Sequence, residues 1–338
     1  MQPATEPASL TMKRMVDGYR ISQAIRVAVE LGLADHLRDG PRDADALAAA
    51  TETHPPALYR LLRALASVGV FREEGDRRFA LTPLGDCLRA DAPEPVGPWA
   101  TFVAGPYLWR VWEELLHSVR TGESAVPRVH GMSAWEYRVR HPEEGAIFDA
   151  AMTGNSRRLA AALLAGYDFG RFGRVVDVGG GQGLFLAAIL ARYSTAQGVL
   201  FDQPHVVAGA GPILRAAGVA DRCRVVGGSF FEGVPGGGDV YVLKFVLHDW
   251  ADEEATAILC ACRRAIEPGG TLLVVERVVG PPNDDADAKF SDLLMLVGPG
   301  GRERTRAEWA ALFAAAGFLL AGVTPTASEV SVIEGAPA

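Results

Sequence analysis

The chain has 338 residues, enough for two domains, and its 49% hydrophobic and 22% charged content is ordinary for a globular protein. A formal net charge of −8 argues against a dedicated nucleic-acid binder, because phosphate contacts need clustered Lys and Arg. No uninterrupted apolar run approaches the ~20 residues needed to span a bilayer. Met1–Pro7 lacks the basic and apolar regions of a secretory signal, so the cytoplasm is the expected location. Cys87, Cys223, Cys260 and Cys262 are too scattered for a disulfide framework, and Cys260 and Cys262, two apart on a helix, diverge rather than pinch a metal.

The first half reads as helical. Met15, Tyr19, Ile21, Ile25, Val29 and Leu33 recur at helical spacing, which predicts one apolar helix over Met12–His36. A helix this apolar at the start of a chain packs either on another subunit or on its own domain. Two further helices follow, Asp43–Ala50 with Asp43 as a cap, and Ala57–Val68. Residues 71–81 read as a two-stranded hairpin turning at Gly75. Two helices and a hairpin make a winged-helix pattern, so DNA binding has to be weighed. Residues 1–90 hold 12 basic and 12 acidic residues, and the would-be recognition helix carries only Arg60 and Arg63. The electrostatic contribution that dominates DNA affinity is absent, which favours a packing or dimerisation module.

A Trp-rich stretch at 99–135 and a helix at 143–165 lead into the second half. From Arg174 short apolar strands alternate with helices. Strands are expected at 174–178, 198–202, 223–227, 239–245, 271–276, 318–323 and 329–334, and helices at 183–192, 204–217, 252–266 and 305–316. The fold class is therefore α/β, a doubly wound, mostly parallel seven-stranded sheet behind a helical winged-helix-like domain. The expected divisions are 1–100, a helical linker 101–168, and 169–338.

Asp177-Val178-Gly179-Gly180-Gly181-Gln182-Gly183 follows the first strand and opens a helix, a turn that lets backbone approach a ligand closely. A dinucleotide fingerprint needs its third Gly three residues after the second; Gly183 follows Gly181 by two, and Leu184 holds the required position. Asp202, ending the second strand, suits the ribose of a methyl donor or of a dinucleotide equally.

Four ordered segments carry a resemblance: Asp177-Val178-Gly179-Gly180-Gly181; Phe201-Asp202-Gln203-Pro204-His205-Val206; Leu243-Lys244-Phe245-Val246-Leu247-His248-Asp249-Trp250; and Gly300-Gly301-Arg302-Glu303-Arg304-Thr305. Together they resemble the caffeate/hydroxyneurosporene-type O-methyltransferases, plant phenolic and bacterial antibiotic-tailoring enzymes, over nearly the whole chain. The resemblance implies S-adenosylmethionine as methyl donor and a homodimer joined through the N-terminal domain. It implies that Gly179 and its neighbours face the methionine part, Asp202 holds the ribose, Phe230 lies against the adenine and Trp250 stacks on its other face. Asp177, Gly181, Gln203 and Lys244 also fall on donor-site positions. Ser229 stands where the family often has an Asp that binds the adenine amino group.

Methyl transfer to a hydroxyl is an in-line displacement, so catalysis is chiefly positioning plus removal of a proton. A phenol of pKa ~10 is scarcely ionised at neutral pH, and a histidine can remove its proton. His248 follows the fourth strand at its carboxyl end, where open α/β sheets bind ligands. By itself such a histidine can equally be a structural hydrogen-bonder. Glu276, ending the next strand, and Glu303, in a later loop, match the family positions that orient it as general base. Trp99, Phe102, Trp135, Phe148, Met152, Asn155, Phe245, Met295 and Leu296 are candidates for an aromatic acceptor pocket, or plain core. Gly298-Pro299-Gly300-Gly301 is one residue shorter than in plant members and lacks their Asn, which leaves a polyketide or alkaloid-like acceptor open. Asn283-Asp284-Asp285-Ala286-Asp287 offers oxygens for Mg²⁺ but follows Gly280-Pro281-Pro282 as an exposed loop would, so no metal is expected. The rivals are a relative that keeps the donor as a bound cofactor for decarboxylation or hydroxylation, an N- or C-methyltransferase, and a small-molecule-sensing regulator.

Overall fold

A computed structural model describes residues 6–338, so most of the segment read for a secretory signal, Met1–Thr5, lies outside the described residues. The chain divides into two compact units, Met1–Trp109 and Arg110–Ala338.

In the first unit the helix expected over Met12–His36 is three helices, Ala8–Asp17, Tyr19–Glu30 and Leu33–His36. Gly32, with φ of 59°, takes the left-handed conformation that ends the second. Asp43 caps Ala44–Ala50 by accepting from the N–H groups of Asp45 and Ala46. Three strands, β1 (Arg42–Asp43), β2 (Phe71–Glu73) and β3 (Arg78–Leu81), form a sheet in the order β1-β3-β2. A two-residue β1 has no pattern to read, and only pairing with β3 creates it. Leu47, Leu62, Phe71 and Phe79 make this unit's core, whereas Ala8–Asp17 buries no residue and leaves Met12, Met15 and Val16 exposed.

The second unit is built on β4 (Arg174–Val178), β5 (Gln197–Asp202), β6 (Cys223–Gly227), β7 (Val240–Lys244), β8 (Thr271–Glu276), β9 (Phe318–Pro325) and β10 (Ser331–Pro337). Their order is β6-β5-β4-β7-β8-β10-β9, parallel except for β10, which is antiparallel to both neighbours. Side chains alternate between two cores. Val175, Val240, Val242, Leu273 and Val275 face one layer; Val176, Tyr241, Leu243, Leu272 and Val274 face the other. No helix among the described residues is long and apolar enough to cross a membrane.

Three expectations are corrected here. The helix expected at 204–217 is two, Pro204–Val207 and Ala210–Ala216. Pro212 has no N–H to bond the carbonyl of Ala208, and its ring crowds that carbonyl. The acidic loop at 283–287 opens a helix, Ala286–Val297, that periodicity did not reveal. The Asp285 carboxylate caps it at Ala288 N–H (3.3 Å) and also accepts from Gly280 N–H (3.0 Å). That carboxylate is committed to backbone donors rather than to a cation. The segment 101–168 does not stand apart either. From Arg110 it belongs to the second unit, because the long helix Pro142–Gly166 places Leu159 and Leu163 in the sheet's core.

Candidate active site

After β4 the chain turns through Gly179 (φ 68°) and Gly181 (φ 60°) into the helix Leu184–Arg192. A Cβ on Gly179 would meet Val246 Cγ2 at 2.7 Å, so glycine is needed both for the conformation and for the close approach. The Gly181 N–H donates to Asp202 Oδ2 at 2.8 Å, and the Gln203 N–H donates to Oδ1 at 2.6 Å. These two bonds fix the Asp202 carboxylate at the end of β5. Burial nevertheless pushes its pKa up, against those donors.

A cavity of about 460 Å³ lies over the carboxyl ends of β4, β5 and β7, roofed by the long helix. Its wall brings together Gly179, Gly181, Asp202, Gln203, Phe230, Lys244 and Trp250 from the expected donor set, and Phe148, Met152 and Phe245 from the expected acceptor set. Asp177 is buried (1% exposed), and neither of its carboxylate oxygens has a hydrogen-bond partner among the described residues. Burial raises its pKa to about 7 although Lys244 opposes this; burial likewise lowers Lys244 to about 8 against the pull of Asp177 and Glu276. Asp177 is not on the cavity wall, so what faces a ligand there is the glycine-lined turn together with Asp202 and Lys244.

The expected sandwich of a base between Phe230 and Trp250 is not formed. These rings meet edge to face, with centroids 5.9 Å apart and planes at 88°. The face of Trp250 is covered instead by Trp135, stacked at 5.5 Å and 16°. The Arg138 guanidinium lies over the rings of both Trp135 (4.7 Å) and Phe148 (3.6 Å). Ser229 is not on the cavity wall; its hydroxyl accepts from Phe231 N–H within its own turn. Asn155 accepts from Arg158 Nη2 at 3.0 Å, and Met295 is buried in the helix Ala286–Val297; neither lines the cavity. Trp99 and Phe102 belong to the first unit, where their rings pack against each other at 5.9 Å.

His248, Glu276 and Glu303 do converge, and all three are buried. His248 Nδ1 lies 3.0 Å from Glu303 Oε1, which also accepts from Ser291 Oγ at 2.7 Å. The Glu303 N–H donates to Asp292 Oδ1 at 2.9 Å, anchoring the loop. Glu276 stands beside the imidazole as expected and also makes contacts that were not foreseen. Its Oε1 accepts the N–H groups of Val246 (3.2 Å), Leu247 (2.8 Å) and His248 (3.2 Å), while its Oε2 is 3.6 Å from His248 Nδ1. It thus holds the turn that carries the histidine. That turn includes Phe245 at φ 54°, a left-handed aromatic residue whose ring stacks on His248 at 5.3 Å. Phe245 and Asp249, three residues before and one after the histidine, line the cavity, whereas His248 is buried behind them with its Nε2 3.8 Å from Asp249 Oδ1.

Burial disfavours charge on His248, yet the carboxylates of Glu276 and Glu303 outweigh it and raise the imidazolium pKa to about 10. Glu276 moves the other way from an ordinary salt-bridge partner: burial lifts it to about 7 despite His248. Glu303, although burial opposes this, is held below its ordinary value by His248. Ligand-type atoms of the three lie within 4.8 Å of one another, a spacing a metal ion also uses. The N–H and O–H donors already on both Oε1 atoms favour a hydrogen-bonded cluster.

Gly301 of the fourth segment is explained by the same turn. A Cβ on Gly301 would fall 2.0 Å from the His248 carbonyl oxygen, which accepts from Arg302 N–H at 2.8 Å. Arg304 is fully buried and donates to the Leu247 and Trp250 carbonyls (3.0 and 2.9 Å) and to Asp252 (2.9 and 2.8 Å). Arg138, Asp149, Gln182, His205 and Asp249 also face the cavity and were missed. Asp149 and Ser156 were legible, since they share the helical phase of Met152.

Models of two families match: the O-methyltransferase domain over residues 112–319 and the O-methyltransferase dimerisation domain over residues 13–91. A phenazine O-methyltransferase of Lysobacter antibioticus is 44% identical over 331 residues, covering 98% of this chain and 97% of that protein. A mitomycin biosynthesis 6-O-methyltransferase of Streptomyces lavendulae is 40% identical, with 98% and 95% covered. The crystal structure of an O-methyltransferase from neocarzinostatin biosynthesis, in complex with S-adenosylmethionine and 2-hydroxy-5-methyl naphthoic acid, superposes with a TM-score of 0.77 at 37% identity, covering 94% of this chain and 96% of that one. Two more distant relatives are an 8-amino-8-demethylriboflavin N,N-dimethyltransferase of Streptomyces davaonensis (38%; 98% and 97% covered) and the aclacinomycin 10-hydroxylase of Streptomyces purpurascens (39%; 99% and 92% covered). The glycine turn, the cavity above it and these matches lead to one conclusion: the chain belongs to the S-adenosylmethionine-dependent O-methyltransferase family.

Proposed function

We propose that this protein methylates a hydroxyl of a small aromatic, natural-product-like acceptor, with His248 as general base. The observation that carries the reading is the 3.0 Å contact of His248 Nδ1 with Glu303 Oε1. An ionised carboxylate there keeps the hydrogen on Nδ1 and leaves Nε2 to take a hydroxyl proton. S-adenosylmethionine, when bound, supplies an electrophilic methyl group. Asp202 holds its ribose, Lys244 on the cavity wall and the glycine turn face its methionine part with Asp177 buried behind that turn, and Phe230 packs on its base. Glu303 stabilises the imidazolium that forms, and Glu276 acts by holding the histidine's turn. Phe148, Met152 and Phe245 give the acceptor an apolar wall. The protein works as a homodimer joined through its first unit, a reading supported by the dimerisation-domain match and the exposed Met12, Met15 and Val16.

The test is incubation with methyl-labelled donor and a panel of phenols, hydroxynaphthoates, hydroxyphenazines and amines. Labelled O-methyl product, abolished in His248→Ala, is expected. Label on nitrogen, or acceptor hydroxylation with the label retained on the donor, would overturn the proposal in favour of the chemistry named for the two more distant relatives, and CO₂ release with the label retained would overturn it in favour of decarboxylation.

A further inference from the structure

Arg277, which follows Glu276 at the end of β8, has no role in the methyl transfer described above, and its side chain is only 15% exposed. A guanidinium so far withdrawn from water needs partners. One of them is an aromatic face, since its Cζ stands 5.6 Å from the ring centroid of Phe245. That same ring stacks on the His248 imidazole at 5.3 Å and 25°. Phe245 is the left-handed residue of the histidine's turn, a conformation that persists only where the surroundings over-determine it. Its N–H donates to the Val275 carbonyl at 3.2 Å, which fixes the backbone; the ring is fixed by what packs on it. Lys244 Nζ is also 5.1 Å from this ring, but Lys244 lines the cavity and Arg277 does not.

Arg277 is itself anchored. Its Nε donates to Asp287 Oδ2 at 3.3 Å, and its Nη2 is 3.6 Å from Glu329 Oε1. Asp287 is exposed, so water screens the first contact, whereas Glu329 is largely covered. Glu329 lies in the connection between β9 and β10, which the Thr326 hydroxyl orders by donating to the Val330 carbonyl at 2.7 Å. The long helix grips the same carboxylate: Arg158 donates to Oε2 from Nη1 at 3.0 Å and to Oε1 from Nη2. Burial disfavours charge on Glu329, yet Arg158 and Arg277 outweigh it and hold the carboxyl below its ordinary pKa. Arg158, Glu329, Arg277 and Phe245 therefore form a continuous series from the roof of the cavity to the imidazole. A hydrogen bond to Nδ1 fixes one atom of that imidazole and leaves its plane free to tilt, whereas a stacked ring fixes the plane. We infer that Arg277 is a positioning residue for His248: braced by Glu329 and the roof helix, it holds the Phe245 ring against the imidazole and so sets the direction of Nε2. This role rests on His248 being the general base.

The experiment uses the full-length protein, the hydroxyl acceptor it methylates, and the variants Arg277→Met, Arg277→Lys and Glu329→Gln. Three quantities are read: kcat, the calorimetric Kd for S-adenosylhomocysteine, and the proton resonances of the His248 ring, identified by their loss in His248→Ala. Arg277→Met should lower kcat roughly threefold to thirtyfold and leave Kd within about twofold. It should also move the His248 ring protons out of the ring-current position set by Phe245. Arg277→Lys, which keeps the cation, should recover part of both changes. Glu329→Gln should show the same changes to a smaller extent, and serves if Arg277→Met does not fold. Placed in His248→Ala, Arg277→Met should cost no further turnover, because it acts through the histidine. Native kcat or native ring-proton shifts in both Arg277→Met and Glu329→Gln overturn the inference. So does a loss of donor binding in step with kcat, or an equal further loss in the His248→Ala background. If His248→Ala alone turns over like the native protein, it is the general-base reading that fails, and the ring-proton shifts still report whether Arg277 holds the stack.

Discussion

Replacing Glu303 by Gln removes one negative charge from the histidine while keeping nearly the same shape. In the native cluster Glu303 Oε1 is 3.0 Å from Nδ1, and both groups are buried, so solvent screens the pair weakly. A buried hydrogen bond to a charged partner contributes about 1.5–3 kcal/mol, which is about one to two pKa units on His248. The sign follows from the direction of the shift. Glu303 helps hold His248 above the ordinary imidazole value, so its neutralisation lowers that pKa and moves the acidic limb of the kcat–pH profile downward. The imidazolium formed as the hydroxyl loses its proton is also less stabilised, so kcat at its plateau falls by about tenfold to a hundredfold. Glu303 does not line the cavity, so the Kd for the donor should stay within about twofold. A pH–rate profile with any accepted hydroxyl substrate, paired with calorimetry of S-adenosylhomocysteine, measures both. An unshifted acidic limb with unchanged kcat would refute the carboxylate–histidine relay, and a parallel loss of donor binding would show that Glu303 only supports the fold.

His248→Ala should retain donor affinity and lose about 10²–10⁴ in kcat for hydroxyl acceptors; turnover near wild type would remove the general base. Because Glu276 and Glu303 raise the His248 imidazolium pKa to about 10, placing a sulfonium cation in the adjoining cavity should expel up to one proton. Titrations near pH ~8 in two buffers of different ionisation enthalpy should show that release, and His248→Ala should abolish it; buffer-independent heats in the native protein contradict it. Glu276→Ala deprives three buried N–H groups of their acceptor and should cost about 1–3 kcal/mol in denaturant unfolding, with Glu276→Gln closer to native. Equal melting of the two variants would mean that the turn does not depend on that oxygen. Gly301→Ala drives a methyl group to 2.0 Å from the His248 carbonyl and should cost about 1–3 kcal/mol together with most activity.

Much of this molecule is determined locally and was legible in its residues. The inner strands β4, β5, β7 and β8 are short, mostly apolar runs bounded by turn residues, because a strand covered on both faces needs apolar side chains on both. The glycine turn, Asp202 and the His248–Asp249–Trp250 segment lie at strand ends, so reading the strands located them. Asp43 as a cap and Gly75 in the hairpin turn follow from local backbone chemistry. Tertiary structure decided what depends on approach between distant segments. Glu276 and Glu303 were both expected beside the histidine, but only packing assigned the first to the Val246–His248 amides and the second to Nδ1. The stack of Trp135 on Trp250, the displacement of Asn155 and Met295 from the cavity wall, and the facing of Asp149 into that cavity are likewise set by where the roof helices sit. Sequence periodicity fixes which face of a helix is apolar, but not which residue of another element that face meets. Arg304 needs the Leu247 and Trp250 carbonyls, and Gly301 needs the one at His248, more than fifty residues back in the chain. Those dependences exist only once the strands have brought their carboxyl ends to a common edge.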